Sequence, residues 1–230
     1  MSDRQAESAA QPSDRAALYS DLQRAIPGLD AMYALACAAI DARVPHDGRI
    51  LVVGAGGGRE LAGLCDGRHR RAITAIDPSA SKLALAKRAA RQAGVEDTID
   101  FVTTPIDALP RQAPFDGATS LLVMHQLADD DGKLAYLTSL RERLSEDGVL
   151  VHADVCLDGR DELDVLVPAF LQYAQAAGID PATTRFELDA LSRLPIVSES
   201  RTCELFAGAG LAPPRALFRS LWYRCWLTGR

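Results

Sequence analysis

Apolar residues in this chain recur in two ways, at helical spacing and in short unbroken runs, and their alternation predicts an α/β order of elements. Leu18, Leu22, Ala25 and Ile26 share one helical face until Pro27-Gly28 interrupts it, and Leu29, Met32, Tyr33, Ala36 and Ile40 form the next stripe. Ile50-Leu51-Val52-Val53 carries no alternation, which suits a strand covered on both faces of a parallel sheet. Ala72 to Ile76 predicts a second strand, a helix runs from Ser79 to about Ala93 with Gly94 as its C-cap, and Ile99-Asp100-Phe101-Val102 predicts a third strand. Asp129-Asp130-Asp131 opens a helix bearing Leu134, Leu137, Leu140 and Leu144, with the three acids capping its positive end. After a strand at Gly148 to Val155, a helix from Asp161 to about Ala177 turns Leu163, Leu166, Phe170, Tyr173 and Ala174 inward, with a kink at Pro168. A short helix around Phe186 to Leu194, a last helix capped by Ser198 or Ser200, and an antiparallel pair at Ala216 to Arg219 and Leu221 to Leu227 complete the chain.

Composition narrows what such a domain can do. At 230 residues and 48% hydrophobic, one domain with a sizeable core is expected, preceded by a polar tail over 1–13. The net charge of -6 gives no long-range attraction for phosphate backbones, so a small molecule is favoured over nucleic acid as partner. Two basic groups, Arg68 to Arg71 and the set Arg215, Arg219, Arg224 and Arg230, read as solvated arginines beside strands. The five cysteines are scattered without a C-x-x-C pair, so neither a disulfide framework nor a zinc site is indicated. Without an apolar run of spanning length or a secretory pattern, cytoplasm is the default and no membrane association is expected.

Candidate chemistry concentrates after the first strand, in Gly54-Ala55-Gly56-Gly57-Gly58. A dinucleotide fingerprint needs a third glycine where Arg59 stands, and there is no G-x-x-x-x-G-K-[ST]. What remains, G-x-G-x-G, resembles the first motif of class I S-adenosylmethionine-dependent methyltransferases. Asp77 follows 19 positions after Gly58, at the end of the second strand, where a carboxylate can accept from both hydroxyls of a ribose. Capping the helix ahead of Pro78 is a compatible second role. Asp107, just past the third strand, is similar to the family's residue for the adenine amino group. Phe115 to Leu127 resembles the fourth strand and the turn after it.

The resemblance covers roughly residues 18 to 228. It implies a Rossmann-like fold: a mostly parallel seven-stranded sheet, helices on both faces and an antiparallel last strand. It further implies S-adenosylmethionine as cofactor, held by Gly54, Ala55, Gly56, Gly58, Asp77, Pro78, Lys82, Asp107, Ala108, Leu121 and Leu122. Many members have two histidines after the fourth strand. This chain keeps His125, the first choice as base or acceptor-orienting group, and has Gln126 for the second; His152 and Asp154 rank behind it. The N-terminal helices, within 14–43, often fold over the cofactor in this family, making Tyr19 and Arg24 candidates. An insertion over 158–196 is where members build a lid, making Tyr173, Arg185 and Phe186 acceptor-pocket candidates.

Two departures matter. Members usually carry an acid two residues before the first glycine, and Val52 stands there. Gln23 to Gly28 and Leu194 to Ser200 resemble the narrower carboxy-S-adenosylmethionine synthase family, but Gln175 and Ile179 occupy the places of its carboxylate-binding Arg and Tyr. The expected function is therefore methyl transfer to oxygen or nitrogen of a small-molecule acceptor, by in-line displacement that needs positioning more than a base. Altered donor chemistry, a nicotinamide-dependent oxidoreductase and a noncatalytic cofactor- or partner-binding relative stay open. So does a homodimer. No metal is called for.

Overall fold

A computed structural model describes residues 21, 24–65 and 70–230. Its elements are α1 (Leu29–Asp41), β1 (Arg49–Val53), α2 (Leu61–Leu64), β2 (Ala72–Asp77), α3 (Ala80–Gln92), β3 (Ile99–Thr103), β4 (Phe115–Leu121), α4 (Gly132–Arg143), β5 (Leu144–Val155), α5 (Arg160–Ala176), α6 (Pro181–Arg193), α7 (Glu199–Gly208), β6 (Arg215–Ser220) and β7 (Tyr223–Gly229), with short 3-10 turns at Glu96–Thr98 and Met124–Gln126. The seven strands form one sheet in the order β3-β2-β1-β4-β5-β7-β6. β1 to β5 pair in parallel, and β7 runs antiparallel to both β5 and β6.

The unbroken apolar run of β1 is explained by this order. Ile50 and Val52 enter one core with Met32, Ile40, Leu61, Leu83 and Phe170, while Leu51 and Val53 enter the other with Leu137, Leu140, Leu205 and Phe206. Both faces are covered, as a central parallel strand requires. β1 is also where the chain reverses its direction of travel across the sheet, since β2 lies on one side and β4 on the other. Such a switch point opens a crevice at the strands' carboxyl ends.

Several expectations change. Asp131 precedes α4 in the left-handed region, φ 72°, and makes no capping bond, so the acid run does not cap by side chain. Asp129 instead takes Nε and Nη2 of Arg201 at 3.0 and 3.2 Å, tying the approach of α4 to α7. Leu144 belongs to β5, which starts four residues earlier than Gly148. α5 continues through Pro168, and its inward residues include Phe170 and Ala174 but not Tyr173, which is 42% exposed. Ser79, not Asp77, caps α3. Two arginines read as solvated are buried: Arg71 binds Asp41 and the carbonyl of Val44, and Arg224 reaches Glu162 at 3.0 Å and Glu199 at 3.1 Å. Arg224 thereby fixes the starts of α5 and α7 to β7. The expected helix through Leu18 and Leu22, and Arg68-His69, lie outside the described residues.

Within the glycine turn, Gly54, Gly56 and Gly58 have φ of 70°, 45° and 71°. A Cβ on Gly58 would lie 2.9 Å from Ala86 Cα and 3.0 Å from its carbonyl, backbone of α3 that cannot give way, whereas one on Gly57 would meet nothing within 4 Å. Gly58→Ala should therefore cost roughly 2–5 kcal/mol, adding left-handed strain to overpacking. Gly57→Ala should stay within about 0.5 kcal/mol of wild type. Urea unfolding of the two variants checks the contrast, and equal losses would remove the close α3 approach as the reason for the third glycine.

Candidate functional site

The crevice is assembled from the ends of β1, β2, β4 and β5 and the loop after β3. Amides of Gly54 and Ala55 both donate to Ile76 O at 2.9 Å, and Gly58 donates to Ala55 O, so the turn folds back over the end of β2. Asp77 is the post for this turn: Oδ2 accepts from Gly56 N at 3.1 Å and Oδ1 from Ser79 N at 2.8 Å. Only 5% exposed, Asp77 still has lone pairs beyond those two bonds, because each carboxylate oxygen accepts twice. The loop after β3 is drawn alongside by Thr104 N donating to Asp77 O at 3.2 Å. Arg143 clamps that loop's backbone at Asp107 O, 3.3 Å, and Leu109 O, 2.9 Å.

On the other side of β1, Leu122 leaves β4 at φ 62°, a strained conformation for a leucine, and the turn Met124–Gln126 follows. Lys133, fully buried, donates Nζ to Met124 O at 2.8 Å and holds that turn in place. Burial lowers the Lys133 pKa, and the nearby Asp154 carboxylate opposes the shift. His125 then meets Asp154 twice: its backbone N donates to Oδ1 at 3.1 Å, and Nδ1 lies 2.6 Å from the same oxygen. With Nδ1–H directed at Asp154, the ring's basic nitrogen is Nε2. His152 sits behind this pair, wholly buried, with Nδ1 3.1 Å from Ser120 Oγ, which in turn is 2.7 Å from Tyr136 OH. Burial pushes the His152 pKa down to about 4, so it is a neutral core residue packed edge-on to Phe206.

The third wall comes from α1 and the last strands. Arg59 stacks on Tyr33 at 4.3 Å and pairs with Asp30; Glu60 beside it is 4% exposed, and burial pushes its pKa up to about 7. Glu187 of α6 is also buried, and its Oε1 accepts from Trp222 Nε1 at 2.7 Å and Tyr223 OH at 2.8 Å. Burial raises the Glu187 pKa, and the two donors, with His125 nearby, oppose it. A shallow cavity of about 450 Å³ between α1 and α2 includes Tyr33, Cys37, Arg59 and Gly63 but reaches neither Asp77 nor His125.

Comparison with known proteins narrows the reading. Residues 50–148 match the family described as a methyltransferase domain. That match spans under half of the chain and supports a methyltransferase reading of this region. The chain is similar to an uncharacterized protein of Synechococcus sp., 35% identical over 137 residues, which cover 57% of this chain and 31% of that protein. The chain thus matches about a third of the length of that curated relative. Its fold is similar to an O-methyltransferase family 2 protein of Planctomyces limnophilus, solved with apigenin (TM-score 0.65, 19% identity, 95% of this chain and 62% of that one). It is also similar to the 1,6-didemethyltoxoflavin-N1-methyltransferase of Burkholderia thailandensis, solved with 1,6-didemethyltoxoflavin and S-adenosylhomocysteine (TM-score 0.56, 22% identity, 99% and 92%).

Within this fold, Gly54, Ala55, Gly56, Gly58, Asp77, Leu121 and Leu122 gather at one crevice. Pro78 and Lys82 are exposed just beyond it, and the Lys82 backbone N donates to Ser79 Oγ at 3.4 Å. Asp107 and Ala108 lie on the exposed loop. His125 joins the site through Asp154. The acceptor candidates do not converge: Arg24 is exposed and paired with Asp21 at 3.3 Å, Tyr173 and Arg185 are exposed, and Tyr19 lies outside the described residues. Phe186 is 39% exposed. The sequence reading missed Tyr33 as a site wall, Arg59 and Glu60 as a buried charged pair, and Glu187. A charge directly ahead of Leu61 and Leu64 was the available signal for Glu60.

Glu60 makes stability depend on pH in a defined direction. Its folded pKa, about 7, lies above the ordinary 4.5, so the folded state holds the extra proton between those values and stability falls as pH rises through them. Glu60→Gln should gain stability relative to wild type on going from pH 5 to pH 8, by up to about 3 kcal/mol. Urea midpoints at the two pH values test this; parallel shifts would show that Glu60 is not buried in its neutral form.

Proposed function

We propose that the chain binds S-adenosylmethionine in this crevice and transfers its methyl group to a hydroxyl of a small-molecule acceptor. The observation that carries the choice of oxygen is the His125–Asp154 pair beside the strained turn at Leu122. A neutral amine already has a lone pair to attack with, whereas a hydroxyl gains most from losing its proton. The residues fit the donor: Asp77 has acceptor capacity left for ribose hydroxyls, open space lies over Gly57, and the loop of Asp107 is tethered beside them.

Bound there, S-adenosylmethionine supplies a methyl carbon on a sulfonium, a leaving group that becomes neutral when its carbon–sulfur bond breaks. His125 Nε2 takes the acceptor's proton as the oxygen bonds to carbon. Asp154 holds the ring's orientation and stabilises the imidazolium that results. Lys133 fixes the turn so that the base does not drift. The α5–α6 insertion, pinned by Glu187 to Trp222 and Tyr223, serves as the lid, and Tyr33 and Tyr223 give it an aromatic lining. Support for a plain donor comes from Gln175, exposed, and Ile179, buried, neither of which offers a cation for a second carboxylate.

Calorimetry should show S-adenosylhomocysteine binding and no NAD binding, and Asp77→Ala should weaken it by about tenfold or more through loss of charge-assisted bonds. NAD binding without S-adenosylhomocysteine binding would overturn the donor. With methyl-labelled S-adenosylmethionine and a panel of phenols and aromatic amines, label should pass to oxygen. His125→Gln should lower kcat by about 100-fold or more while S-adenosylhomocysteine affinity holds. Full turnover by this variant would leave His125 a structural residue.

A further inference from the structure

The crevice leaves one charged pair unexplained. Arg59 and Glu60 follow the glycine turn directly; Glu60 is buried, and Arg59 is half-buried against α1. The Arg59 side chain is 19% exposed, and its Nη1 is buried with no hydrogen-bond partner among the described residues. Its ion pair with Asp30 is weak compensation, because that aspartate is 87% exposed and hydrated. Glu60 precedes α2 but makes no side-chain cap there, so helix capping does not account for its burial. A buried guanidinium nitrogen without an acceptor, beside a buried carboxylate, is costly for folding alone.

The position of the pair supplies its partner. Asp107's loop, Asp77 and the glycine turn lie at the ends of β3, β2 and β1, neighbours about 4.8 Å apart, so a ligand laid across them spans about 10 Å before it reaches Arg59 and Glu60. A nucleoside whose base lies toward Asp107 and whose ribose meets Asp77 therefore presents its sulfur-linked tail to this pair. That tail ends in one carboxylate and one ammonium on a single carbon. Val52, 0% exposed, is core and offers no acid before the turn.

We propose that Arg59 and Glu60 together receive the amino-acid end of the donor, the free guanidinium nitrogen taking its carboxylate and the Glu60 carboxylate its ammonium. This rests on the donor reading above. Tyr33 then acts as a positioning residue, its ring carrying the guanidinium. An ammonium beside Glu60 favours the ionised carboxylate, so binding near neutral pH releases the proton that burial otherwise keeps there.

Two probes separate this role from a structural one: S-adenosylhomocysteine, which has the amino-acid end, and 5′-methylthioadenosine, which lacks it. Arg59→Met and Glu60→Gln should each weaken S-adenosylhomocysteine binding about tenfold or more and leave methylthioadenosine within about twofold of wild type. Calorimetry near pH 7 in two buffers of different ionisation heat should show proton release by wild type and none by Glu60→Gln. Equal weakening of both nucleosides, or unchanged S-adenosylhomocysteine affinity, overturns the assignment. Wild type alone provides a test should a variant not fold: the ratio of its affinities for the two nucleosides should rise from pH 6 to pH 8, and a flat ratio overturns the role of Glu60. Failure of wild type to bind either nucleoside would instead defeat the donor reading itself.

Discussion

The structure depends on three left-handed glycines within five residues, pressed between a strand end and a helix. Gly54 has Val123 against it, Gly58 has the backbone of Ala86, and Gly56 is held by Asp77. Each constraint comes from a different element, β4's turn, α3 and β2, so the glycine turn joins the pieces that form the crevice. A side chain at either end would separate β1 from a neighbour and move the site's walls with it. The tight packing and the ligand crevice thus come from the same backbone path.

Charge in the interior is settled residue by residue, and the manner of settlement sorts structural groups from chemical ones. Arg224 meets Glu162 and Glu199, and Arg71 meets the Asp41 carboxylate and the backbone carbonyls of Asp41, Val44 and Pro45; both serve to fasten elements together. Glu187 is satisfied by two neutral donors, which suits a fastening of α6 to β7 that adds no second charge. Asp154 differs, because both of its hydrogen bonds among the described residues come from a single residue, His125, whose ring then has one orientation, while His152 Nε2 stands 3.9 Å from the other Asp154 oxygen. Arg59 keeps a buried nitrogen without a partner among the described residues, as Arg143 at Nε and His152 at Nε2 also do, and differs from them in standing directly after the glycine turn.

Much of this was readable where a residue type answers a local demand. Ile50 to Val53 had to be covered on both faces, and the spacing of Gly54, Gly56 and Gly58 matches the three positive φ values, with Gly57 correctly left as a spacer. Asp77 was legible from its distance to the turn. The failures share a cause, which is that burial was set by elements distant in sequence. Arg71 looks like part of a basic run until α1 and the loop after it close over its side chain. Tyr173 fits a helical stripe three residues after Phe170, but the buried face of α5 passes through Ala174. Asp129 to Asp131 suited a cap by composition. A capping aspartate needs an extended backbone that turns its oxygens back to the first amides, and Asp131 is left-handed.

The same reasoning explains why the two charged neighbours of the glycine turn look unremarkable in the chain yet unusual in the fold. Arg59 stood where a dinucleotide enzyme needs glycine, and it entered the sequence argument only as an exclusion. In three dimensions, α1 carries Tyr33 under its guanidinium and covers Glu60, so a turn that excludes one cofactor by sequence builds a charged pocket by packing. On the proposed donor reading, Asp77 meets one end of the ligand and the Arg59–Glu60 pair the other. A ligand that satisfied only the first end would leave the buried charges as they are in the free protein, which makes the far end the place where affinity and selectivity are decided.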